Sequence, residues 1–198
     1  ERWVLSWGEH VEVLGPKAAE FATDWFSLKE LEALVRMLGR PRLCPRTSSL
    51  GRLFDAVAAL CGLSPGISFE GQAAMALEFA ADPTCDEAYP LPLSDADPAI
   101  ADWEPMLRAI LADRQAGVPL ARTSARFHNA LAGLAATIAR RWGGERVVLS
   151  GGCFQNATLS GRVREQLQAA GLRVYSHRLV PPNDGGIALG QAAIAVRK

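Results

Sequence analysis

Residues Val147–Gln191 begin V-V-L-S-G-G-C-F-Q-N and end V-P-P-N-D-G-G-I-A-L-G-Q. A short apolar run leads into one glycine pair, Gly151–Gly152, and a second pair, Gly185–Gly186, follows Asp184 and opens another helix. Glycines at a strand-to-helix turn let the backbone approach a phosphate closely, and the helix N-terminus behind them favours an anion. The segment therefore predicts one wall of a nucleotide site, with Asp184 placed to meet a metal ion or a reacting group.

The spacing around the two glycine pairs predicts a strand–helix–strand unit. A strand is expected over 146–150, a helix over about 158–170, a strand over 172–177 and a final helix from Gly186 to the C-terminus. A unit of this length predicts parallel strands joined by a right-handed crossover. Because most of the preceding chain has helical periodicity, the fold class is α/β, rich in helices and poor in strands.

Two upstream helices carry clear start signals. Ser27 and Glu30 form a capping box ahead of the first. Ser48 or Ser49 caps the second, whose apolar residues are spaced to form one buried face. That face comprises Leu50, Leu53, Phe54, Val57 and Cys61.

The rest of the upstream chain is expected to hold two more helices, over 72–81 and 124–141. Residues 82–120 are expected to form an irregular surface connection, because their first part is rich in Pro, Asp and Ala. Short apolar runs over 3–13 predict one or two strands.

The bulk composition indicates an ordinary globular protein. Of the 198 residues 49% are hydrophobic, and basic and acidic residues number 21 each. A net charge of zero disfavours a dominant nucleic-acid surface. No apolar run approaches the roughly 18 residues of a membrane span, and the N-terminus lacks the apolar core of a secretory signal.

The four cysteines, Cys44, Cys61, Cys85 and Cys153, are widely and irregularly spaced. Without a C-x-x-C pair they favour neither a structural zinc site nor a disulfide framework. Cys61 and Cys153 lie in apolar surroundings and are expected to be buried. Free cysteines and the missing export signal favour the cytoplasm.

The residues of the two glycine segments each have a structural interpretation beside the functional one. The amides after Gly151 and Gly152 suit a phosphate, and the side chain of Asn156 suits a base, a ribose or a carbonyl. The same residues also fit a tight turn in which Asn156 caps a helix. Asp184 suits a hard or borderline metal beside phosphates, but an Asp ahead of a helix is often only an N-cap.

The upstream carboxylates are equally open. Asp55 lies three residues after an arginine on one helix face, which fits a surface ion pair or a partly buried role. Glu70 and Gly71 stand in a turn ahead of a helix, and Glu78 lies two turns further on. Either glutamate suits a ribose hydroxyl, although Glu78 also fits a solvated helix face.

The three histidines, His10, His128 and His177, have no metal-ligand spacing such as H-x-x-x-H. His128 lies beside the apolar face of its helix, where a core histidine with one satisfied nitrogen is expected. No Ser-His-Asp or Cys-His arrangement follows from the spacing.

Five motifs occur in one order along the chain. They are T-S-S-L-G-R-L-F-D-A-V-A-A-L, I-S-F-E-G-Q-A-A-M-A-L-E, A-R-F-H-N-A-L-A, V-V-L-S-G-G-C-F-Q-N and V-P-P-N-D-G-G-I-A-L-G-Q-A. Together they resemble the C-terminal part of the HypF family, the carbamoyltransferases of NiFe-hydrogenase maturation. The resemblance covers roughly residues 40–198, and residues 1–40 match only loosely.

The resemblance implies a fold and an activity. The fold would be the helix-rich C-terminal lobe of an actin-like ATPase (ASKHA, ribonuclease H-like) domain, with residues 1–198 forming a single lobe. HypF-like proteins use carbamoyl phosphate and ATP, with Mg, to make carbamoyl-adenylate. They then pass the carbamoyl group to the C-terminal cysteine of a partner, HypE, where it becomes the precursor of the cyanide ligands of the hydrogenase iron.

The resemblance also implies roles for individual residues. Nucleotide phosphates would meet Gly151, Gly152, Asn156 and Gly185. The metal-binding Asp of the family falls on Asp184. Ribose and base contacts fall near Asp55, Glu70, Gly71 and Glu78.

Some features of the family have no match in this chain. The two metal histidines are missing, so the divalent metal, Zn or Fe, would need ligands from outside it. The acylphosphatase-like, zinc-finger and YrdC-like modules are missing as well, and we expect the chain alone to be inactive.

Other functions stay open at this level. Carbamoyl transfer to a small molecule or to tRNA belongs to the same superfamily, although the neutral charge disfavours tRNA. A non-catalytic actin-like docking module would keep the fold without turnover. Sugar-kinase-like phosphotransfer would release ADP rather than AMP and pyrophosphate.

Overall fold

The computed structural model describes residues 26–38, 40, 42–43, 47–63 and 68–196. The strands expected over 3–13 lie outside these residues. In chain order the elements are α1 (Leu28–Leu38), α2 (Leu50–Leu60), α3 (Gln72–Ala80), α4 (Glu104–Gln115), α5 (Leu120–Trp142), β1 (Arg146–Leu149), a 3-10 turn (Gly152–Gln155), α6 (Ala157–Ala169), β2 (Arg173–Ser176), a second 3-10 turn (Asp184–Gly186) and α7 (Ile187–Ala195).

The two strands form a parallel pair joined through α6, as the strand–helix–strand spacing predicts. Arg146 pairs with Arg173, and the register runs to Leu149 opposite Ser176. Because side chains alternate along a strand, Leu149 is buried in the core whereas Val148 remains 66% exposed. One face of this small sheet is thus covered and the other is open.

The core lies where α2, α3 and α6 pack around α5. α5 contacts α3, α4 and α6, and α2 packs against α3. At its centre the rings of Phe54 and Phe127 meet edge to face with centroids 4.9 Å apart, and both are fully buried. The predicted apolar face of α2 is confirmed at Leu53, Phe54 and Val57, whereas Cys61 is only partly buried.

The predicted irregular connection over 82–120 is wrong in its second half, where α4 spans Glu104–Gln115. Four side chains at helical spacing are buried there: Met106, Leu107, Ile110 and Leu111. Pro105 stands in the first turn, where its missing N–H costs no hydrogen bond. The Pro- and Asp-rich composition that suggests a loop therefore applies only up to the start of this helix.

Residues 82–103 are irregular but tied down by side chains of α5 and α6. The Asn129 amide donates to the carbonyls of Cys85 and Glu87, at 2.9 and 2.7 Å. Arg162 donates to the carbonyls of Asp82 and Cys85, at 3.1 Å each. These bonds supply the partners that the segment lacks as secondary structure.

Apart from Gln191, the C-terminal helix α7 consists of apolar residues and glycine, and all of them are exposed in the described structure. Ile194 is 75% exposed, and Leu179, ahead of the helix, is 98% exposed. A helix that is hydrophobic on every side normally packs inside a larger protein. No helix in the described part of the chain is both long and apolar enough to cross a membrane.

Truncating a buried ring should cost far more stability than truncating an exposed one. Phe54→Ala is expected to lower the free energy of unfolding by about 3–5 kcal/mol, because it opens a cavity at the centre of the core. Phe79→Ala, at a ring that is 76% exposed, is expected to change it by less than about 0.5 kcal/mol. Urea unfolding measures both, and equal losses would contradict this description of the core.

Candidate functional site

The two glycine segments meet at the carboxyl end of β1. The Gly151 amide donates to the Pro182 carbonyl at 2.7 Å. A Cβ built on Gly152 would lie 4.0 Å from the Cβ of Asn183. Open α/β sheets bind ligands outside the carboxyl ends of their strands. The structure thus brings together the two segments that the sequence predicts to share one wall.

Glycine is required at two positions of this wall for different reasons. Gly151 has φ +108° and ψ +155°, a region that only glycine adopts readily. At Gly186 the limit is space, since a Cβ would lie 3.1 Å from the Pro181 carbonyl oxygen and 3.2 Å from Val180 Cγ1. The backbone is therefore bare where the two segments approach each other.

The first turn offers two free donors. Among the described residues, the amides of Gly152 and Cys153 donate to no protein acceptor, whereas the Phe154 amide bonds back to Gly151. Consecutive free amides of this kind form an anion-binding concavity. We therefore assign the phosphate-binding capacity of this segment to the 3-10 turn itself.

The N-terminus of α6 behind the turn is already satisfied by the protein's own acceptors. Glu78 Oε1 accepts from the amides of Ala157, at 2.6 Å, and Thr158, at 3.4 Å. Asn156 Oδ1 accepts from the Leu159 amide at 2.7 Å, so Asn156 is the helix cap. In this structure the Glu78 carboxylate therefore takes the place at this helix end where an external anion was expected, and the predicted anion role of the helix N-terminus remains a prediction.

In the second turn Asn183, and not Asp184, is the helix cap. Asn183 Oδ1 accepts from the Gly185 amide at 3.0 Å, so Asn183 is the cap and the Asp184 carboxylate stays exposed. Within the described ranges no three His, Cys, Asp or Glu side chains lie close enough together to hold a metal. Asp184 by itself does not make a metal site, and its predicted metal role remains a prediction.

Asp55 lies on α2, which contacts the first 3-10 turn. Arg52 Nη2 is 3.1 Å from Asp55 Oδ2. That contact lacks hydrogen-bond geometry, so Oδ2 is a buried carboxylate oxygen without a hydrogen bond from the described residues. Such an acceptor suits a ligand hydroxyl.

The other predicted ribose and base contacts lie in or just before α3, with Glu70 and Gly71 at its start and Glu78 in its last turn. Glu70 is exposed, and Gly71 takes the N-cap position with φ +84°. Glu78 is not the solvated helix residue of the alternative interpretation, because its Oε1 is bonded to α6. The nucleotide roles of these residues remain predictions.

Two pairs of side chains beside the turn are not foreseen from the sequence. His128 is fully buried, with Nδ1 2.8 Å from the Ser124 carbonyl oxygen and Nε2 3.0 Å from Asn156 Nδ2. It is the expected core histidine, but with both nitrogens bonded. At the carboxyl ends of β1 and β2, His177 Nε2 lies 3.0 Å from Ser150 Oγ. Only tertiary contacts join these partners.

One side of the site is basic, and its thiol is largely protonated. An open cleft of about 550 Å³ beyond β2 is lined by Arg164, Tyr175, His177 and Arg178 among others. Burial raises the pKa of the Cys153 thiol. Since a protonated thiol is a poor nucleophile, Cys153 is a packing residue of the turn.

Comparison with known proteins identifies the class. A family profile, described as the second subdomain of the Kae1-like domain of carbamoyltransferases, matches residues 2–191. The chain is similar to the carbamoyltransferase HypF of Synechocystis sp., with 43% identity over 159 residues, 79% of this chain and 20% of that protein. It is also similar to a HypF homolog of Cupriavidus necator, with 42% identity over 179 residues, 83% of this chain and 44% of that one.

Solved structures agree. A crystal structure of full-length HypF in a phosphate- and nucleotide-bound form matches with a TM-score of 0.84 and 40% identity, over 89% of this chain and 24% of that one. The chain belongs to the HypF carbamoyltransferase family, which confirms the resemblance and the helix-rich α/β fold class. It spans less than half the length of the relatives described above.

A methyl group at Gly151 should be costly although there is room for it. Gly151→Ala is expected to lower the free energy of unfolding by about 1–3 kcal/mol, because of backbone strain alone. Gly161→Ala, in the middle of α6 with nothing within 4 Å of its Cβ, is the matched control and is expected to raise it by about 0.5–1 kcal/mol. Urea unfolding that gives both variants the same sign would contradict the assigned turn geometry.

Stability should fall with acid in a way that depends on His128. Burial lowers the pKa of His128, and the Arg162 charge acts in the same direction, whereas the bond to Ser124 and the Glu78 charge oppose it. Below the ordinary pKa of about 6.5, the unfolded chain therefore takes up a proton that the folded chain refuses. The free energy of unfolding should decline as pH falls below about 6.5.

In His128→Gln that component of the decline should be missing. The rest of the chain is identical in both proteins, so the difference between the two pH profiles isolates His128. Parallel profiles for wild type and variant, measured by urea unfolding from pH 8 to 5, would contradict a buried neutral imidazole.

Proposed function

We propose that this chain forms the nucleotide-facing part of an ATP-dependent carbamoyltransferase. In this proposal carbamoyl phosphate, ATP and water yield carbamoyl-adenylate, phosphate and pyrophosphate, with Mg supporting the nucleotide. The carbamoyl group then passes to the C-terminal cysteine of a HypE-like protein for cyanide-ligand synthesis in hydrogenase maturation. Membership of the HypF family supports the proposal. The observation that carries it is the pairing of the two glycine segments, which leaves two free amides at the carboxyl end of β1.

The transfer step needs a group that holds a phosphate as it leaves. The acceptor thiolate attacks the carbamoyl carbon, the bond from that carbon to the phosphate oxygen breaks, and AMP departs with the electron pair. In the proposal, the amides of Gly152 and Cys153, which have no acceptor among the described residues, would bond the phosphate oxygens on which this charge develops. Asp55 Oδ2, which pairs with Arg52 but accepts no hydrogen bond from the described residues, is the chain's own candidate acceptor for a ribose hydroxyl.

The transfer step described above does not involve the metal ion. Asp184 is the chain's candidate ligand for a divalent ion, Zn or Fe, whose other ligands would come from elsewhere in the protein. Because no three potential ligands lie together in the part of the chain that the structure describes, we assign no step to the ion.

The exposed apolar surfaces of the chain fit a part of a larger protein. The apolar α7 and the open face of the sheet are suited to packing against the remainder of a longer chain. The attacking thiolate would come from the partner, since Cys153 is kept protonated by burial. The neutral charge gives no support to a nucleic-acid partner.

Carbamoyl transfer should depend on Asp184. In the full natural protein, Asp184→Ala is expected to lower carbamoylation of the HypE-like acceptor by about tenfold or more, since loss of a metal-site group typically costs that much. Asp86→Ala, an equally exposed aspartate between α3 and α4, is the matched control and should leave transfer unchanged. Intact-protein mass spectrometry follows the acceptor, and chromatography follows the nucleotides.

The products decide between this proposal and its alternatives. AMP and pyrophosphate, formed only with carbamoyl phosphate present, would support adenylate chemistry. Formation of ADP would contradict it in favour of phosphotransfer. A folded, ATP-binding wild type without any turnover would contradict it in favour of a docking module.

A further inference from the structure

The polar contacts of His128 define which of its nitrogens carries the proton. Nδ1 lies 2.8 Å from the Ser124 carbonyl oxygen, which can only accept, so Nδ1 is the donor. A neutral imidazole then has an acceptor at Nε2, which lies 3.0 Å from Asn156 Nδ2. The geometry therefore fixes one tautomer without reference to any ligand.

That tautomer in turn fixes the side chain of Asn156. Because Nε2 accepts, the Asn156 amide must present its NH2 group to His128 and its oxygen to the Leu159 amide, 2.7 Å away. The reversed amide would place an acceptor against an acceptor and a donor against a donor. Both residues are buried, so neither group has water as an alternative partner.

Asn156 is also the end of the glycine turn. Its own amide donates to the Cys153 carbonyl at 3.2 Å, which closes the 3-10 turn. At the other end, the Gly151 amide is bonded to Pro182. The free amides of Gly152 and Cys153 thus lie between two anchors, and one of these is held by His128 through Asn156.

We propose that His128 is a positioning residue of the nucleotide site, which aims the Gly152 and Cys153 amides by fixing the orientation of Asn156. The proposal rests on the proposed nucleotide role of this turn. His128 touches no substrate in it. The other polar residues of its motif, A-R-F-H-N-A-L-A, bond to residues outside the turn, because Arg126 pairs with Glu87 and Asp113 and Asn129 bonds the carbonyls of Cys85 and Glu87.

The test compares two substitutions of His128 in the full natural protein. His128→Leu fills similar space but leaves Asn156 Nδ2 without an acceptor. His128→Gln restores an acceptor oxygen on a flexible side chain. Asn129→Leu is the matched control, since Asn129 is the next residue on α5, is comparably buried, and bonds Cys85 and Glu87 instead of the turn.

Hydrogen exchange of the peptide over residues 150–156, with and without ATP, reports on the turn directly. In wild type, ATP should slow exchange of this peptide. His128→Leu should exchange about tenfold faster and lose the ATP effect, and its KM for ATP in carbamoylation should rise about tenfold with a smaller change in kcat. His128→Gln should partly restore the ATP protection of this peptide and the KM for ATP. Asn129→Leu should lower Tm but leave both the ATP protection and the KM for ATP unchanged.

The outcomes separate the two proposals. ATP protection of the peptide in wild type without any carbamoyl transfer would remove the proposed reaction and keep the positioning role, provided that His128→Leu abolishes the protection. Normal protection and normal KM in His128→Leu would overturn the positioning role and leave the reaction intact. Equal effects in His128→Leu and Asn129→Leu would reduce His128 to a packing residue and overturn it as well.

Discussion

The hydrogen bond from the Gly151 amide to the Pro182 carbonyl holds together two segments that lie far apart in the chain. At this bond Gly151 has a positive φ with an extended ψ, a conformation that only glycine adopts readily. Once the bond is made, Gly185 and Gly186 must pass close to Pro181, where no side chain fits. The need for glycine at positions 151, 185 and 186 therefore follows from how the two backbones meet, before any ligand is considered.

The same region shows how a protein can use its own carboxylate in place of an external anion. Glu78 reaches from α3 to the first amides of α6, where a negative charge near the helix N-terminus typically contributes about 0.3–1 kcal/mol. With Glu78 and Asn156 at that helix end, the free donors are moved forward into the 3-10 turn. A phosphate would then meet two amides held rigidly from behind, rather than a helix end that needs an anion to be complete.

Local patterns explain which features could be predicted. The parallel strands, the apolar face of α2 and the two glycine turns each follow from residues close together in sequence, where periodicity and backbone preference act directly. The helix α4 was masked by the Pro- and Asp-rich composition before it, although its buried residues have helical spacing. Composition averaged over a long segment thus hid a local signal.

The missed parts of the site are those that depend on distant partners. The bond between Glu78 and Ala157 joins residues 79 apart, and that between His128 and Asn156 joins residues 28 apart. No periodicity relates such positions, since their proximity results from how α3, α5 and α6 pack. Likewise, the sequence offers both Asn183 and Asp184 as caps, and only the folded turn shows that the amide oxygen of Asn183 takes the bond.

The protonation state of the cysteine thiols also bears on which cysteine acts as the nucleophile in the proposed reaction. Burial raises the pKa of Cys61 to about 11, so that roughly one molecule in 10⁴ carries this thiolate at pH 7. Burial also raises the pKa of the Cys153 thiol, which lies in the 3-10 turn beside the free amides. A thiolate there would compete with a phosphate for the same donors, since both are anions. Keeping Cys153 protonated leaves these amides to the nucleotide and the nucleophilic role to the cysteine of the proposed partner.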